Sequence, residues 1–194
     1  MTLSAMLLAG GHSRRMGREK ATLSVKGGLL WDRQLQLLSS LSPAVLWVSA
    51  RKNPPWCPSG VEVIPDESPS RGPLSGLAAG LRRLQTSHLL VLAIDLPQMS
   101  VEHLRKLWAL ASPGSGVIPL KDDYFEPLCA IYPAEAAPIA EEALKSGNAS
   151  LQALVKTLLS QSRAQTYAIT QSERSLYFNW NRPSDLPPRK IVER

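Results

Sequence analysis

The first twenty residues combine a short apolar run with a loop rich in glycine and positive charge. Residues 3–9 are predicted to form a buried strand, which leads into Gly10 and Gly11 and then into three arginines and Lys20. Because glycine lacks a Cβ, backbone N–H groups in such a loop can turn inward and approach phosphate oxygens closely. Guanidinium and ammonium groups then neutralise the phosphate charge. The segment therefore predicts a binding site for a polyphosphate.

The spacing within this loop excludes two common nucleotide-binding motifs. A P-loop requires Gly-x-x-x-x-Gly-Lys-Ser/Thr, whereas Gly11 and Gly17 are too far apart and Lys20 does not follow a glycine. The Gly-x-Gly-x-x-Gly motif of dinucleotide-binding proteins is absent because Gly10 and Gly11 are adjacent. The loop therefore belongs to neither class.

A second candidate for chemistry is Asp95, which follows the apolar run 88–94 and precedes Pro97. Magnesium prefers one or two carboxylates together with substrate phosphates and water, so a carboxylate at the end of a buried strand is a suitable ligand. An aspartate at this position could instead begin a turn or cap the next helix. The phosphate-type loop upstream favours the metal role.

The elements that must position these residues alternate between strand and helix. Apolar residues recur at helical spacing over 31–41, 74–84 and 101–111, with Ser100 as a predicted N-cap, and the runs 44–48, 61–64 and 88–94 are predicted strands. This alternation indicates an α/β fold, a three-layer αβα sandwich with a mostly parallel sheet that is Rossmann-like in its first half. Ligands of such sheets bind beyond the carboxyl ends of the strands, so the glycine loop, Asp66 and Asp95 should converge.

The second half of the chain continues this pattern. Strands are predicted at 116–119, 127–132 and 164–169, with a loop or hairpin around Asp122 and Asp123 and two short helices divided near Gly147. We expect a single domain over residues 1–186 and a flexible tail over 187–194.

Composition restricts the class of protein. The chain has 194 residues and a net charge of +6, which could indicate nucleic-acid binding. However, the chain contains no run of five basic residues, and aromatic residues make up only 6%. Two cysteines outside any Cys-x-x-Cys pair disfavour a structural zinc site. Neither a secretory leader nor a membrane-length apolar run is visible, so we expect a cytoplasmic protein without nucleic-acid or membrane partners.

The segment Leu8-Ala-Gly-Gly-His-Ser-Arg-Arg-Met-Gly-Arg-Glu-Lys20 resembles the signature loop of sugar-nucleotide pyrophosphorylase-like nucleotidyltransferases, and most of all that of the MobA family of molybdenum cofactor guanylyltransferases. Three further blocks resemble that family and follow its order over about residues 4–186. They are Gly-Pro-Leu-Ser-Gly ending at Gly76, Glu-Pro-Leu-Cys-Ala-Ile-Tyr ending at Tyr132, and Asn-Trp-Asn-Arg-Pro-Ser-Asp-Leu ending at Leu186.

The resemblance implies the nucleotide-diphospho-sugar transferase fold and the transfer of GMP from GTP to molybdenum-bound molybdopterin, with release of pyrophosphate and dependence on Mg²⁺. It implies that Lys20, Arg15 and Asp95 act in catalysis, with Asp95 on the metal. The nucleotide-binding residues that it implies are Leu8, Ala9, Gly10, Gly11, Lys20, Ser49, Asp66, Gly76 and Asp95. Asn179 and Asn181 are assigned to the metal or to the acceptor, and Tyr132 to the acceptor. Other cofactor-biosynthesis proteins and acceptor molybdoenzymes are the partners it suggests.

Two residues of the glycine loop and one residue that follows the second predicted strand bear on which nucleotide base the protein binds. Gly10 stands where related cytidylyltransferases tend to have alanine, which favours a larger purine. Ser49 stands where the guanylyltransferases often have asparagine, and Glu19 where the family usually has aspartate, which weakens the inference. The alternatives are a cytidylyltransferase, a nucleotidyltransferase with another phosphorylated acceptor, and a nucleotide-binding or nucleic-acid-binding protein without catalytic activity.

Overall fold

A computed structural model of the protein describes residues 1–10, 20–25, 27–65, 71–147, 149–181 and 183–185. Its strands are β1 (Leu3–Leu8), β2 (Ser24–Val25), β3 (Gly28–Leu29), β4 (Leu46–Ala50), β5 (Glu62–Pro65), β6 (His88–Ala93), β7 (Gly116–Lys121), β8 (Tyr124–Phe125), β9 (Cys129–Pro133) and β10 (Ala164–Ala168). Its α-helices are α1 (Leu30–Ser39), α2 (Pro73–Arg83), α3 (Val101–Leu110), α4 (Ala136–Lys145) and α5 (Leu151–Ser160). Short 3₁₀ helices cover Lys20–Thr22, Gln171–Tyr177 and Pro183–Asp185.

The central sheet has the strand order β10-β7-β9-β6-β1-β4-β5, with β8 paired to β7, and β2 and β3 form a separate hairpin. Strand β1 lies between β4 and β6 and is parallel to both. Strand β9 is antiparallel to β6 and to β7, so it runs against the main direction. The sheet is therefore mixed but mostly parallel, which confirms the predicted α/β class.

Helices cover both faces of the sheet because the strands at its centre are apolar on both sides. All residues of β1 and of β6 are buried. Within β1, Ala5 and Leu7 pack into a core with residues of α1 and α3, whereas Met6 and Leu8 pack into a second core with residues of α2, α4 and α5. This alternation follows from the two-residue period of a strand and produces the predicted three layers.

Several local predictions are confirmed. The Ser100 hydroxyl accepts a hydrogen bond from His103 N at 3.2 Å and caps α3. Residues 122–123 form the turn of the β7–β8 hairpin, with Asp122 at a φ of 54°. Gly147 follows the end of α4 with a φ of 80°, a left-handed conformation that glycine adopts without a Cβ clash.

Several strand boundaries differ from prediction, among them those of β4 and β9. β4 occupies Leu46–Ala50 rather than 44–48, so it includes Ser49, and β9 begins at Cys129 rather than at Pro127. Proline has no N–H for the sheet, which accounts for the later start of β9. The tail at 187–194 lies outside the described residues. Among the described residues, no helix is long and apolar enough to cross a membrane.

Candidate active site

The candidate site lies where β1 and β6 end, at the carboxyl edge of the sheet. The two strands pair in register up to Leu8 and Ala93. Ile94 N then donates to Leu8 O at 3.0 Å, and Ala9 N donates to Ser49 O at 2.9 Å. The start of the glycine loop and the turn that carries Asp95 therefore lie side by side, as the parallel topology predicts.

Lys20 links this edge to the C-terminal part of the chain. Its Nζ atom donates to Asp95 Oδ2 at 2.8 Å and to Asn181 Oδ1 at 2.7 Å. The Lys20 and Asp95 side chains are only 16% and 20% exposed, so the ion pair is largely shielded from water. Three segments that are distant in sequence thus contribute polar groups to one point.

The segment that follows the 3₁₀ helix at Gln171–Tyr177 brings Asn181 to this point. Trp180 is buried, and its backbone N–H donates to the backbone oxygen of Asp95 at 2.9 Å. Asn181 N donates to Asp185 Oδ2 at 2.8 Å. The backbone at Trp180 and Asn181 is therefore held, and the hydrogen bond from Lys20 orients the Asn181 amide oxygen.

A polar cluster anchors this segment to α3. The Tyr177 hydroxyl lies 2.6 Å from His103 Nε2, and both side chains are buried. Glu173 accepts hydrogen bonds from Lys106 Nζ at 2.9 Å and from Tyr167 OH at 2.7 Å, and it also closes a capping box with Thr170.

The contacts of this cluster shift the pKa values of its members. Burial opposes ionisation of Glu173, but its hydrogen bonds outweigh this effect and lower the pKa of Glu173 to about 2. Burial also lowers the pKa of His103, although the neighbouring Glu173 charge opposes this shift.

A cavity of about 350 Å³ adjoins the Asp95–Asn181 pair. Its polar lining includes Asp95, Glu126, Gln152, Asn179 and Asn181, and its apolar lining includes Pro73, Pro127, Leu128 and Leu151. Glu126 is half-buried, and this burial raises its pKa; nearby Lys121 opposes the shift, and the Asp95 charge adds to it. The cavity is therefore an acidic pocket with apolar walls next to the ion pair.

The oxygens around Lys20 suit a hard cation. Asp95 Oδ2 and Asn181 Oδ1 both approach the same nitrogen, so a carboxylate and an amide oxygen already converge on one positive charge. Magnesium is commonly bound by such oxygens together with substrate phosphates. In the described ranges there is no group of three or more His, Cys, Asp or Glu side chains that could hold a metal. The donor set thus fits Mg²⁺ only if the nucleotide supplies further ligands.

The other predicted nucleotide-binding and catalytic residues fall into described and undescribed parts of the chain. Gly11, Arg15 and Asp66 lie outside the described residues. Leu8 and Ser49 are buried at the ends of β1 and β4, whereas Ala9 and Gly10 are partly exposed beyond β1. Gly76 is buried within α2, one turn from its start.

Tyr132 departs from its predicted place. Its side chain is fully buried, and its hydroxyl donates to Pro127 O at 2.7 Å. Strand β9 lies between β6 and β7 and is covered on both faces, so Tyr132 belongs to the core and does not line the cavity. In this position it supports Pro127, and the predicted direct contact with the acceptor is corrected accordingly.

Glu126 and Gln152 are among the cavity residues that the predicted set lacked. Glu126 had a signal, because it begins the Glu-Pro-Leu block that ends at Tyr132. Gln152 had no such signal, because it belongs to no block that resembles the family. Only the folded topology brings the first turn of α5, which carries Gln152, next to β8.

Comparison with known proteins identifies the family. The profile of the MobA-like NTP transferase domain matches residues 5–165. A probable molybdenum cofactor guanylyltransferase of Opitutus terrae is 36% identical over 186 residues, which cover 94% of this chain and 92% of that protein. The molybdenum cofactor guanylyltransferase of Syntrophotalea carbinolica is 30% identical over 195 residues, with 98% and 89% covered.

Solved structures agree with this relationship. Molybdopterin-guanine dinucleotide biosynthesis protein A from Archaeoglobus fulgidus aligns with a TM-score of 0.70 and 26% identity over 94% of each chain. A nucleotidyl transferase from Methanothermobacter has a TM-score of 0.72 at 20% identity over 95% of this chain and 94% of its own, and shares the fold. The chain belongs to the MobA-like NTP transferase family.

Proposed function

We propose that the protein transfers GMP from GTP to molybdenum-bound molybdopterin and forms molybdopterin guanine dinucleotide and pyrophosphate. The observation that carries the proposal is the meeting of Lys20, Asp95 and Asn181 at the carboxyl edge of the sheet. At this point the Lys20 ammonium, which can bind a phosphate chain, lies next to the Asp95 and Asn181 oxygens, which can bind a metal. The cavity lined by Asp95 and Asn181 adjoins them and can receive the acceptor. Relatives named as molybdenum cofactor guanylyltransferases over almost their whole length support the choice of substrates.

In this reaction the terminal phosphate of molybdopterin attacks the α-phosphorus of GTP. A new P–O bond forms to that phosphorus, and the bond to the bridging oxygen of pyrophosphate breaks. The attacking phosphate is already anionic, so the step needs no general base. Catalysis then consists of alignment and charge neutralisation. Lys20, Arg15 and the Gly10 and Gly11 amides would stabilise the charge that develops on pyrophosphate.

The base and the ribose would lie along the carboxyl edge toward β4 and β5. The proposal assigns Leu8, Ala9, Ser49, Asp66 and Gly76 to this part of the nucleotide site. A carboxylate such as Asp66 can accept two N–H bonds from guanine, and Gly10 leaves space for a purine.

Asp95 and Asn181 would hold the metal between the nucleotide and the acceptor. A bound Mg²⁺ would supply positive charge at the phosphates. The chain's own contribution is to hold the backbone that carries both side chains, next to Asp95 through the Ile94–Leu8 hydrogen bond and next to Asn181 through the bond from Trp180 N to Asp95 O. Asn179, which also lines the cavity, would face the acceptor.

The proposal places this reaction in the cytoplasm, on a single domain spanning residues 1–186, with other cofactor-biosynthesis proteins and acceptor molybdoenzymes as partners. Two free cysteines, one of them buried, are consistent with a reducing compartment.

Pyrophosphate release measured with GTP, CTP and ATP, with and without molybdenum-bound molybdopterin, tests the proposal. We expect release that requires both GTP and the acceptor. Pyrophosphate release that requires the acceptor and occurs with CTP but not with GTP would establish a cytidylyltransferase. GTP binding without any pyrophosphate release would establish a non-catalytic nucleotide-binding protein.

The same assay tests the metal site through Asp95→Asn, with exposed Asp123→Asn as the matched control. Loss of a charged ligand should reduce transfer by about a hundredfold or more. Binding of Mn²⁺ in the presence of GTP, followed by electron paramagnetic resonance, should weaken in the same variant. Unchanged Mn²⁺ affinity in Asp95→Asn would remove Asp95 from the metal site.

A further inference from the structure

Glu126 places a carboxylate at the edge of the cavity. It is half-buried among cavity residues, and no donor from the described part of the chain reaches its side chain. Burying a charge without a hydrogen-bond partner costs free energy. A ligand in the cavity that brings N–H groups would recover this cost, so the position suits recognition of a hydrogen-bond donor.

The backbone around Glu126 is held on both sides. The amide of Gln152 pairs with both backbone groups of Phe125: Phe125 N donates to Oε1 at 3.2 Å, and Nε2 donates to Phe125 O at 2.9 Å. Glu126 N donates to Pro119 O at 2.8 Å, and Glu126 O accepts from Cys129 N at 3.2 Å. The carboxylate is therefore attached to a fixed backbone, which geometric selection between similar ligands requires.

The walls of the cavity suit a flat ring. Pro73, Pro127, Leu128 and Leu151 supply apolar surface, and the volume of about 350 Å³ lies in the usual range for small-molecule sites. Asp95 and Asn181 border the same space, so a ring bound here lies beside the proposed point of phosphate attack.

From this arrangement we infer that Glu126 is a specificity-determining residue that accepts two neighbouring N–H groups of an amino-oxo-pyrimidine ring, the ring edge that a pterin carries. This inference rests on the proposed function. An ionised carboxylate offers two oxygens that only accept hydrogen bonds, which matches an amino group beside a ring N–H. A ring with a carbonyl in place of the amino group would instead direct lone pairs at Glu126 and be rejected.

Binding of pterin and of lumazine, in which a carbonyl replaces the amino group, tests this assignment through their fluorescence in the presence of GTP. The wild-type protein should bind pterin at least about tenfold more tightly than lumazine. In Glu126→Gln the amide can donate to the carbonyl, so the preference should disappear or reverse. The exposed Glu142→Gln on α4 is the matched control and should keep the wild-type preference.

The outcomes are separable from those of the transfer assay. GTP affinity should be equal in all three proteins, which also shows that the variants are folded. A preference that survives in Glu126→Gln, or a wild-type protein that binds GTP but neither pteridine, would overturn the inference. If GMP transfer to molybdopterin is observed alongside such a result, the proposed function stands and only the role of Glu126 fails. If Glu126→Gln loses the preference for pterin over lumazine but no GMP transfer is observed, the role of Glu126 is supported and the proposed reaction is refuted.

Discussion

Lys20 lies between two oxygens that the fold brings from remote parts of the chain. Its ammonium neutralises Asp95 and donates to the Asn181 carbonyl oxygen. Because a lysine side chain is long and carries a compact charge, the same ammonium can turn toward phosphate oxygens without any backbone change. This placement suits the proposed binding of the triphosphate by Lys20 at the edge of the proposed metal site.

We expect Lys20→Ala to weaken GTP binding by about 10- to 100-fold, since hydrogen bonds to charged groups contribute about 1.5–3 kcal/mol. Lys20→Arg should retain part of the affinity because the positive charge remains. Calorimetric titration with GTP measures both. Lys145→Ala, which removes an exposed lysine at the end of α4, is the control and should bind like wild type. Equal affinity in Lys20→Ala and Lys145→Ala would contradict the role of Lys20.

At the scale of elements, the apolar strands were predictable and the direction of one strand was not. β1 and β6 are buried on both faces, and continuous apolar runs of this kind indicate central strands. β9 carries a similar apolar run, yet it is antiparallel to β6, and nothing in its composition distinguishes the two directions. The core position of Tyr132 follows from that placement, which explains why the sequence alone misassigned it to the acceptor.

The C-terminal segment shows a second limit of prediction. Its asparagines were predicted from the spacing that carries the family resemblance, but the helical turn before them contains mainly polar residues and gives no periodic signal. What holds it is the cluster of Glu173, Tyr177 and His103, whose members lie up to 74 positions apart. Contacts of such range depend on the whole fold and leave no local pattern.

The pairing of β7 and β9 depends on Gly116. A Cβ at this position would lie 2.0 Å from Ile131 O, and that atom belongs to the backbone of the neighbouring strand and cannot turn aside. We therefore expect Gly116→Ala to lower the free energy of unfolding by about 2–4 kcal/mol. Urea denaturation measures the change. In Gly60→Ala no atom lies within 4 Å of the new Cβ, so this control should stay within about 0.5 kcal/mol of wild type. Similar stability of the two variants would show that the strands separate without cost.

At the scale of the whole molecule, the candidate site forms only when segments far apart in the sequence fold together. Lys20, Asp95 and Asn181 come from the first, middle and last parts of the sequence. The last of these depends on a small cluster around Glu173 that joins α3, β10 and the 3₁₀ helix at Gln171–Tyr177. The stability of this cluster therefore influences the geometry of the site at a distance.

The cluster predicts that the protein loses stability in acid. The pKa of Glu173 is about 2, below its ordinary 4.5, and the pKa of His103 is lowered from 6.5 by burial. Both groups bind fewer protons in the folded than in the unfolded state, so stability rises with pH. The His103 contribution is complete above about pH 6.5 and is lost as the pH falls below that value. The Glu173 contribution is complete above about pH 4.5 and is lost toward pH 2.

Glu173→Gln separates the carboxylate from the other titrating groups. At neutral pH the variant should be less stable than wild type by about 1–3 kcal/mol, because a charged acceptor of several hydrogen bonds is lost. As the pH falls from about 4.5 toward 2, wild-type Glu173 takes up a proton and the gap should narrow. Urea denaturation of both proteins across this range measures the gap, and exposed Glu142→Gln should show no such narrowing. A gap that stays constant with pH would mean that the Glu173 charge does not stabilise the fold, and that the C-terminal segment is held by packing of Tyr177 and Trp180 alone.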